Sequence, residues 1–487
     1  MENKEKSLKK NFCMNAILTM SQFIFPLITF PYVSRILLAE GTGKVSFATS
    51  IISYFAMFAQ LGIPTYGIRA CAQVRNDKKK LSKTAQEIFI INIIMSILAY
   101  IVFFIALCNV PRLKDEKTLL IIVSATIFFN AIGMEWLYKA LEQYTYITIR
   151  SVIFKVIALI AMFLLIHQQS DYIIYGAISI FASSASNIFN FFNVHKYISL
   201  RPVGEYNFKQ HLKAVSVFFA LSCAATIYVN LDTVMLGFMK TNVDVGYYNA
   251  AVKIKTILVS IVTSLGTVLL PRASYYVEHG LKEDFYRITK KAINFVFLVA
   301  TPLMLYFMFF AKEGIFFLSG NTYGGAIVPM QIIMPTLFFI GLTNIMGMQI
   351  LVPLGKENIV LYSEIVGAVV DLAINYILIP KYASAGAAIG TLVAEIAVWI
   401  VQYIYLRKQI KDAYKNVRYG ILILALFLGS IASLWVKKVF SGSFIVLLNS
   451  AILFFGVYFI VLTIAKEPLI YQIEEGLLTK LKKKGKK

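Results

Sequence analysis

Ionised side chains set within long apolar stretches are the residues of this chain most able to do chemistry. Asp232, in YVNLDTVMLG, comes several residues before a short polar turn, and Lys253, in AVKIKTILV, comes several residues after it. In two antiparallel helices, a rise of about 1.5 Å per residue places them at similar depth. Each charge costs roughly 2.5–3.5 kcal/mol at a bilayer centre, so it persists where a partner or a water-filled cavity receives it. The spacing therefore predicts an ion pair that either fixes the hairpin or faces a wet cavity.

A second set of ionisable residues within apolar sequence is acidic. Glu364 and Asp371 are seven residues apart and share one helical face, and Glu395 lies on the next predicted helix. Carboxylates deep in a helical bundle are candidates for binding a proton or Na⁺. These three residues are predicted either to couple the protein to an ion gradient or to pair with basic side chains.

The composition excludes a soluble globular protein. Of the 487 residues, 59% are hydrophobic and only 15% are charged, and the mean hydropathy is +0.72. A net charge of +22 would indicate nucleic-acid binding in a soluble chain, but here the basic residues lie in short segments between apolar stretches. Four scattered cysteines indicate neither a metal site nor disulfides. We therefore predict an all-α polytopic membrane protein with no nucleic-acid partner and no bound metal or organic cofactor.

Apolar stretches long enough to cross a membrane recur along the whole chain. A hydrocarbon core of roughly 30 Å requires about 20 residues of helix. On this basis we predict about fourteen transmembrane helices, at 12–34, 45–64, 86–108, 118–138, 150–166, 172–193, 214–237, 247–270, 292–318, 325–353, 358–380, 385–406, 419–436 and 443–465.

Lys and Arg collect in every second connection between these helices. Roughly 34 of the 47 lie in the connections and termini that a cytoplasmic amino terminus places inside. Both termini are therefore predicted to be cytoplasmic. The tail LLTKLKKKGKK is predicted to rest on anionic membrane lipid.

A weak internal repeat predicts the domain organisation. Residues 43–70, moved by 203 positions, place Gly43 on Gly246 and Arg69 on Arg272. The repeat predicts an N-terminal six-helix lobe, a cytoplasmic linker, a C-terminal six-helix lobe, and two extra helices with a basic tail, at 1–193, 194–213, 214–406 and 407–487. Repeats of this kind are how many transporters build a site between two halves.

Three stretches together resemble a known family. They are FPLITFPYVSRILLAEGTGKVSFATSIISYFAMFAQLGIPTYGIRACAQVRND, GMEWLYKALEQYTYITIRS, and IYVNLDTVMLG with the VGYYNAAVKI and LPRAS that follow it. In this order they resemble the Wzx flippases, polysaccharide-biosynthesis transporters of the MATE-like MOP superfamily. The matching positions are Arg35, Gly43, Arg69, Glu135, Trp136, Asp232, Gly246, Lys253 and Arg272.

The resemblance implies a two-lobed helical bundle that moves undecaprenyl-pyrophosphate-linked oligosaccharide repeat units from the inner to the outer leaflet. Surface polysaccharide biosynthesis would be the pathway, with a polysaccharide polymerase and assembly proteins as candidate partners. No cofactor is implied beyond a coupling H⁺ or Na⁺.

A pyrophosphate headgroup directs attention to arginine, which donates two parallel hydrogen bonds and keeps its charge. Arg69 and Arg272 stand where predicted helices leave the membrane at the cytoplasmic mouth, so they are candidates for attracting the headgroup. The alternative is ordinary positive-inside placement. Arg35 is a candidate on the outer side or an interfacial side chain. Lys253 is the cavity-facing candidate of the hairpin, and Glu135 is predicted to form a structural pair with Lys155 on the next span.

Three function classes remain at this point. The first is the flippase, working by alternating access and driven by an ion gradient. The second is a MATE-type antiporter of small molecules or cations, which would require a compact anionic pocket. The third is a membrane enzyme such as a polymerase, which ranks last because the outer loops NVPRLKDEKT and FMKTNVDVG are too short to hold a catalytic site. We therefore predict a transporter and no enzymatic activity.

Overall fold

The computed structural model describes residues 2–415 and 417–471. Every secondary-structure element within these residues is helical, as the composition predicts. The predicted lipid anchor at 477–487 lies outside the described residues. The described chain clusters into two compact units, Met1–Gly246 and Tyr247–Lys487. The predicted lobe boundaries come from a sequence repeat, whereas these two units are defined by compactness. The units therefore do not test the lobe boundaries, which stay a prediction.

The first unit is built from helices α1 to α10 and the start of α11. Their bounds are α1 Glu2–Gln60, α2 Ile63–Val74, α3 Lys78–Asn109, α4 Pro111–Lys114, α5 Lys117–Gly133, α6 Glu135–Ala140, α7 Tyr144–Leu165, α8 Tyr172–Ile180, α9 Asn187–Asn193, α10 Lys209–Met239 and α11 Asn242–Glu278.

The second unit contains the rest of α11 and eight further helices. They are α12 Lys282–Phe309, α13 Ala311–Ser319, α14 Ile327–Ile333, α15 Thr336–Asn344, α16 Glu357–Lys415, α17 Tyr419–Leu434, α18 Val436–Val439 and α19 Ser443–Ile464. Its core includes side chains of α11, α12, α15, α16, α17 and α19.

Each predicted span falls mainly on helical backbone. Ten helical segments of the described chain are long and apolar enough to cross a membrane, or eleven when the bent pair Asn321–Ile333 and Thr336–Leu351 counts as one span. This number is below the roughly fourteen predicted, because α1 and α16 each cover two predicted spans and α5 has only 17 residues. The polytopic all-α fold is confirmed, while the number of crossings stays a prediction.

Helix α16 reverses direction within its length. At Ala383 the backbone leaves helical geometry, with φ of 48° and ψ of −124°. A Cβ built on Gly386 would lie 2.5 Å from the carbonyl oxygen of Leu378, and Gln402 Nε2 donates to Ser363 Oγ at 3.0 Å. Residues this far apart would be well separated in a straight helix. The two arms therefore form an antiparallel hairpin.

Helix α1 has the same kind of reversal at Leu38, where φ is 57°. On its first arm, the Met14 carbonyl accepts a hydrogen bond from Thr148, near the start of α7. Gly41, beyond the reversal, lies against Tyr172, which follows the other end of α7. The first arm therefore runs alongside α7, and the second arm returns from the far end.

Contacts within the first unit group the helix connections into two faces. On one face, Lys44 pairs with Glu116 at 3.1 Å, and the guanidinium of Arg112 donates to Gly237 and Asn242. All of these residues lie in or beside connections that the charge pattern assigns to the outside.

On the other face, Arg75 pairs with Glu142 at 2.5 Å, and Gln86 Nε2 donates to the carbonyl oxygens of Ser199 and Arg201. These residues lie in or beside segments that the charge pattern assigns to the inside. Connections that share a predicted side are therefore also in contact.

Candidate functional site

A cavity of about 540 Å³ lies within the first unit. It is bounded by the second arm of α1, the start of α2, α5 and α10. Its polar lining consists only of hydroxyl and amide side chains, and no Lys, Arg, Asp or Glu occurs among the described residues that line it. The polar residues are Ser53, Gln60, Thr126, Asn130, Ser222, Thr226 and Asn230. Such a lining hydrogen-bonds a neutral polar ligand and offers no counter-charge to an ion.

The break between α1 and α2 shapes one end of this cavity. Leu61 and Gly62 both adopt positive φ, of 48° and 72°. A Cβ on Gly62 would lie 2.5 Å from backbone atoms of Phe218 and Phe219, so glycine allows α10 to approach this closely. Pro64 then occupies the first turn of α2, where its missing N–H costs nothing.

A buried hydrogen-bond network lies next to this break. Glu87, on α3, is fully buried, and its carboxylate accepts from His211 Nε2 at 2.8 Å, Gln210 Nε2 at 2.9 Å and the Asn207 backbone N–H at 2.7 Å. Tyr66, on α2, hydrogen-bonds His211 Nδ1 at 2.6 Å. One carboxylate therefore links α2, α3 and the start of α10.

Two further residues of α3, Ser82 and Gln86, also bind the linker between α9 and α10. Ser82 Oγ accepts from the Ser199 backbone N–H at 2.9 Å, and Gln86 binds the carbonyls of the same segment. We call Ser82, Gln86 and Glu87, with the linker residues 199–211 that they bind, the linker anchor. Sequence reasoning missed it. The available signal was a Gln-Glu pair at the start of an apolar span, where side chains of that polarity need partners.

Glu135 and Lys155 do not form the predicted direct ion pair, although the charge of Glu135 still acts on Lys155 at longer range. Glu135 opens α6 and instead pairs with Lys139, one turn along, at 2.7 Å and with Arg150 at 3.7 Å. Lys155 donates to Ser21 Oγ at 2.7 Å. Arg150 lies more than one helical turn before Lys155 on α7. At that position the guanidinium of Arg150, and not the ammonium of Lys155, contacts Glu135.

The predicted cationic residues lie at exposed or half-buried positions. Arg69 on α2 and Arg272 on α11 are both exposed. Arg35 is exposed, just before the reversal of α1, and its guanidinium donates to the Pro31 carbonyl. Lys253 on α11 is half-buried.

Asp232 on α10 is only 4% exposed. Its predicted pairing with Lys253 stays a prediction, because the two residues belong to different compact units.

The predicted repeat partners Gly43 and Gly246 lie against each other. A Cβ on Gly43 would be 2.9 Å from the Gly246 backbone nitrogen, and a Cβ on Gly246 would be 2.7 Å from the Ala39 carbonyl carbon. Arg69 and Arg272 are both exposed, and further matched positions are both buried, namely Ala48 with Ala251, Ile51 with Ile254 and Ala70 with Ala273. Burial thus agrees with the repeat at each of these positions.

In the second unit, helix α16 carries all three predicted acidic residues. Asp371 is 2% exposed and Glu395 is 5% exposed, whereas Glu364 is half-buried. The pairings of Ser363 with Gln402 and of Leu378 with Gly386 set the register of the hairpin.

This register places Asp371 opposite Glu395. A Cβ on Gly390 would lie 3.0 Å from Asp371 Oδ1, so glycine leaves room for that carboxylate between the arms. Nearby, Tyr248 and Thr391 hydroxyls hydrogen-bond at 2.9 Å. The interior of this unit therefore carries two buried acids at similar depth.

Comparisons with known proteins agree with this architecture. A protein of Escherichia coli (strain K12) named "Putative O-antigen transporter" is 23% identical over 410 residues, which are 84% of this chain and 98% of that protein. The capsular polysaccharide biosynthesis protein CapF of Staphylococcus aureus is 22% identical over 413 residues, or 83% of this chain and 99% of that protein.

Among solved structures, the lipid II flippase MurJ in an inward closed conformation matches with a TM-score of 0.66 at 16% identity, covering 92% of this chain and 99% of that one. An inward-facing MATE-family multidrug transporter of the MOP superfamily also matches with a TM-score of 0.66, at 14% identity, covering 83% and 99%. The predicted MATE-like fold is confirmed. The model of the polysaccharide biosynthesis protein family matches residues 8–277, more than half of the chain, so the chain belongs to that family.

Proposed function

We propose that this protein is a flippase that moves undecaprenyl-pyrophosphate-linked oligosaccharide repeat units from the inner to the outer leaflet by alternating access. The observation that carries the proposal is the cavity of about 540 Å³ in the first unit, lined by neutral hydroxyl and amide groups. Sugars present many hydroxyls that each donate and accept hydrogen bonds, and such a lining satisfies them. Family membership and the relatives named for O-antigen transport and capsule synthesis support the same substrate class.

A MATE-type antiporter for cationic drugs fits this cavity less well. A cation leaving water needs a counter-charge or an aromatic face, and the described lining offers neither. A transport role is also proposed in preference to an enzymatic one, because the matching solved structures named above are transporters.

The pyrophosphate of the substrate requires cations at the entrance. We assign this role to Arg69 and Arg272, which are exposed and repeat-related, with Arg35 and Lys253 available later in the path. Exposed arginines attract a dianionic headgroup and bind it through charge-assisted hydrogen bonds. The neutral cavity would then receive the glycan, while the polyprenyl chain stays in lipid.

Ion coupling is assigned to the acidic interior of the second unit. Asp371 and Glu395 are buried at similar depth, and two neighbouring carboxylates favour uptake of a cation or proton between them. We propose that H⁺ or Na⁺ binds between these two carboxylates and that Glu364 lies on its access path. Separately, Asp232 is proposed to form an ion pair with Lys253. In proteoliposomes, Asp371→Asn and Glu395→Gln should abolish the response of flipping to an imposed pH or Na⁺ gradient. An unchanged response in both variants would contradict the assignment.

The proposed setting is the bacterial cytoplasmic membrane with both termini in the cytoplasm, because the basic residues concentrate on that side. A polysaccharide polymerase would use the flipped product as its substrate and is the proposed functional partner.

A reconstituted assay tests the function. The protein is placed in liposomes with undecaprenyl-pyrophosphate-linked oligosaccharide purified from the source organism. Periodate added outside oxidises only glycan on the outer leaflet, so nearly complete oxidation is expected with the flippase and a protected inner pool without it. If the pool stays protected while the same liposomes take up a cationic dye, the antiporter alternative is correct.

A further inference from the structure

A relay of polar side chains runs from a buried arginine to the cavity of the first unit. Arg150, on α7, is only 7% exposed. Its Nη2 donates to Asn187 Oδ1 at 3.1 Å, and its Nη1 donates to the Ser186 carbonyl at 3.0 Å. Asn187 Nδ2 in turn donates to Oδ1 of Asn130, at 3.2 Å. Asn130 lines the cavity.

The chemistry of these groups sets the direction of every amide in the relay. A guanidinium only donates, so Asn187 must turn its oxygen toward Arg150 and its nitrogen toward Asn130. Asn130 must then turn its own oxygen toward Asn187. Either reversed amide would place two donors against each other. The free end of Asn130 is therefore Nδ2, which meets no acceptor among the described residues.

The backbone is shaped to allow this relay. A Cβ on Gly133, at the end of α5, would lie 2.6 Å from both Cβ and Cγ of Asn187, so the glycine admits that side chain. The Gly133 carbonyl also accepts from Asn190 Nδ2 at 2.7 Å, which holds α9 against α5. Asn187 itself is 4% exposed.

The wall of the cavity formed by α10 presents a hydrogen-bond acceptor, whereas Asn130 on α5 presents a donor. Asn230 donates its Nδ2 to the Thr226 carbonyl at 3.0 Å within α10, which leaves its Oδ1 as an acceptor. On the α5 side, Thr126 Oγ1 is buried without a hydrogen-bond partner among the described residues. The cavity thus presents a donor and an acceptor on facing helices, and a sugar hydroxyl uses both.

We infer that Arg150 is a positioning residue that sets the hydrogen-bond polarity of the glycan cavity, acting through Asn187 so that Asn130 donates to an oxygen of a neutral sugar. Arg150 itself does not reach the ligand. The inference rests on the proposed function for the identity of the ligand, whereas the orientation of Asn130 rests on the relay alone.

The substitution Asn187→Asp tests the relay. The new carboxylate keeps its bond to Arg150 and offers only acceptors, so Asn130 should reverse and bond its amide to Asp at 187. In protein labelled with ¹⁵N-asparagine, the Asn130 side-chain amide protons, identified by their loss in Asn130→Ser, should exchange quickly with water in wild type and at least tenfold more slowly in the variant. Equal exchange in the two proteins would overturn the inference.

Flipping kinetics give a second readout. With the purified lipid-linked oligosaccharide, Asn187→Asp and Asn130→Ser should each raise KM by roughly three- to tenfold, as expected for one neutral hydrogen bond, with little change in maximal rate. The double variant should be no worse than Asn130→Ser alone. Multiplying effects would overturn the relay. If wild type does not flip the oligosaccharide, the proposed function fails, and the exchange measurement still decides the orientation of Asn130.

Discussion

Replacing Glu87 should release the linker between α9 and α10. Its buried carboxylate accepts three hydrogen bonds, from His211, Gln210 and the Asn207 backbone. His211 is 3% exposed, so in Glu87→Ala its Nε2 keeps only the longer contact with Gln210 Nε2 at 3.3 Å, at a cost of about 1–3 kcal/mol. The other two donors lie on exposed residues and regain water, so each loses only the net value of one bond, about 1 kcal/mol.

The total loss is therefore on the order of 3–5 kcal/mol for local opening of the linker anchor. Glu87→Gln keeps the shape but turns a donor toward donors, and it should cost about 1.5–3 kcal/mol. A matched control is Glu142→Gln. The Glu142 carboxylate pairs with Arg75 at 2.5 Å, but both side chains are nearly half exposed, so the pair is worth at most about 1 kcal/mol.

Limited digestion with V8 protease, which cleaves after glutamate, measures this opening, because Glu205 is an exposed cleavage site within the linker. Cleavage through a fast local opening follows the open population, which changes about tenfold per 1.4 kcal/mol. Glu87→Ala should therefore be cut at Glu205 at least about a hundredfold faster than wild type, and Glu142→Gln less than about fivefold faster. Equal cleavage of the Glu87 variants and the control would refute the reasoning.

Other substitutions probe the path of the substrate and the outer contact. Arg69→Ala and Arg272→Ala should each lower the flipping rate without reducing membrane insertion, since both side chains are exposed; wild-type rates in both would remove them from the entrance. Asp232→Asn and Lys253→Met should each impair folding or flipping, and the double variant should lose less than the two single losses combined, whereas additive losses would show that the charges are not coupled. Gly43→Ala should destabilise the protein by about 1–3 kcal/mol in chemical unfolding, because its Cβ overlaps the Asn242 backbone; unchanged stability would contradict that contact.

Much of the fold was predictable because a bilayer imposes one strong rule, a run of about 20 apolar residues for each crossing. The predicted break after span 12–34 corresponds to the reversal at Leu38, although the helix continues on both sides. Neither Leu38 nor Ala383 is itself a glycine or proline, although Pro380 lies three residues before Ala383 and Gly41 three residues after Leu38.

The site was harder to predict because it depends on how helices are rotated about their axes. Asn130 and Asn230 are ordinary polar residues on separate spans, and only packing brings them to one cavity. The direct partner of Glu135 was missed for the same reason, since consecutive spans suggested Lys155 whereas the helix faces bring Arg150 into contact with it.

Burial of Asp371 and Glu395 illustrates what spacing does predict. The spacing placed Glu364 and Asp371 on one helical face and Glu395 on the next helix, and the register of the hairpin then shows that Asp371 lies opposite Glu395. Their role in coupling depends on ion binding, which spacing does not determine.

The central claim is that the glycan passes through the neutral cavity of the first unit. Ser222→Trp fills that cavity from α10, whereas Leu221→Trp adds the same bulk at a neighbouring exposed position outside the lining. In the periodate assay with purified lipid-linked oligosaccharide, Ser222→Trp should abolish flipping and Leu221→Trp should retain it. Normal flipping by Ser222→Trp would contradict the account.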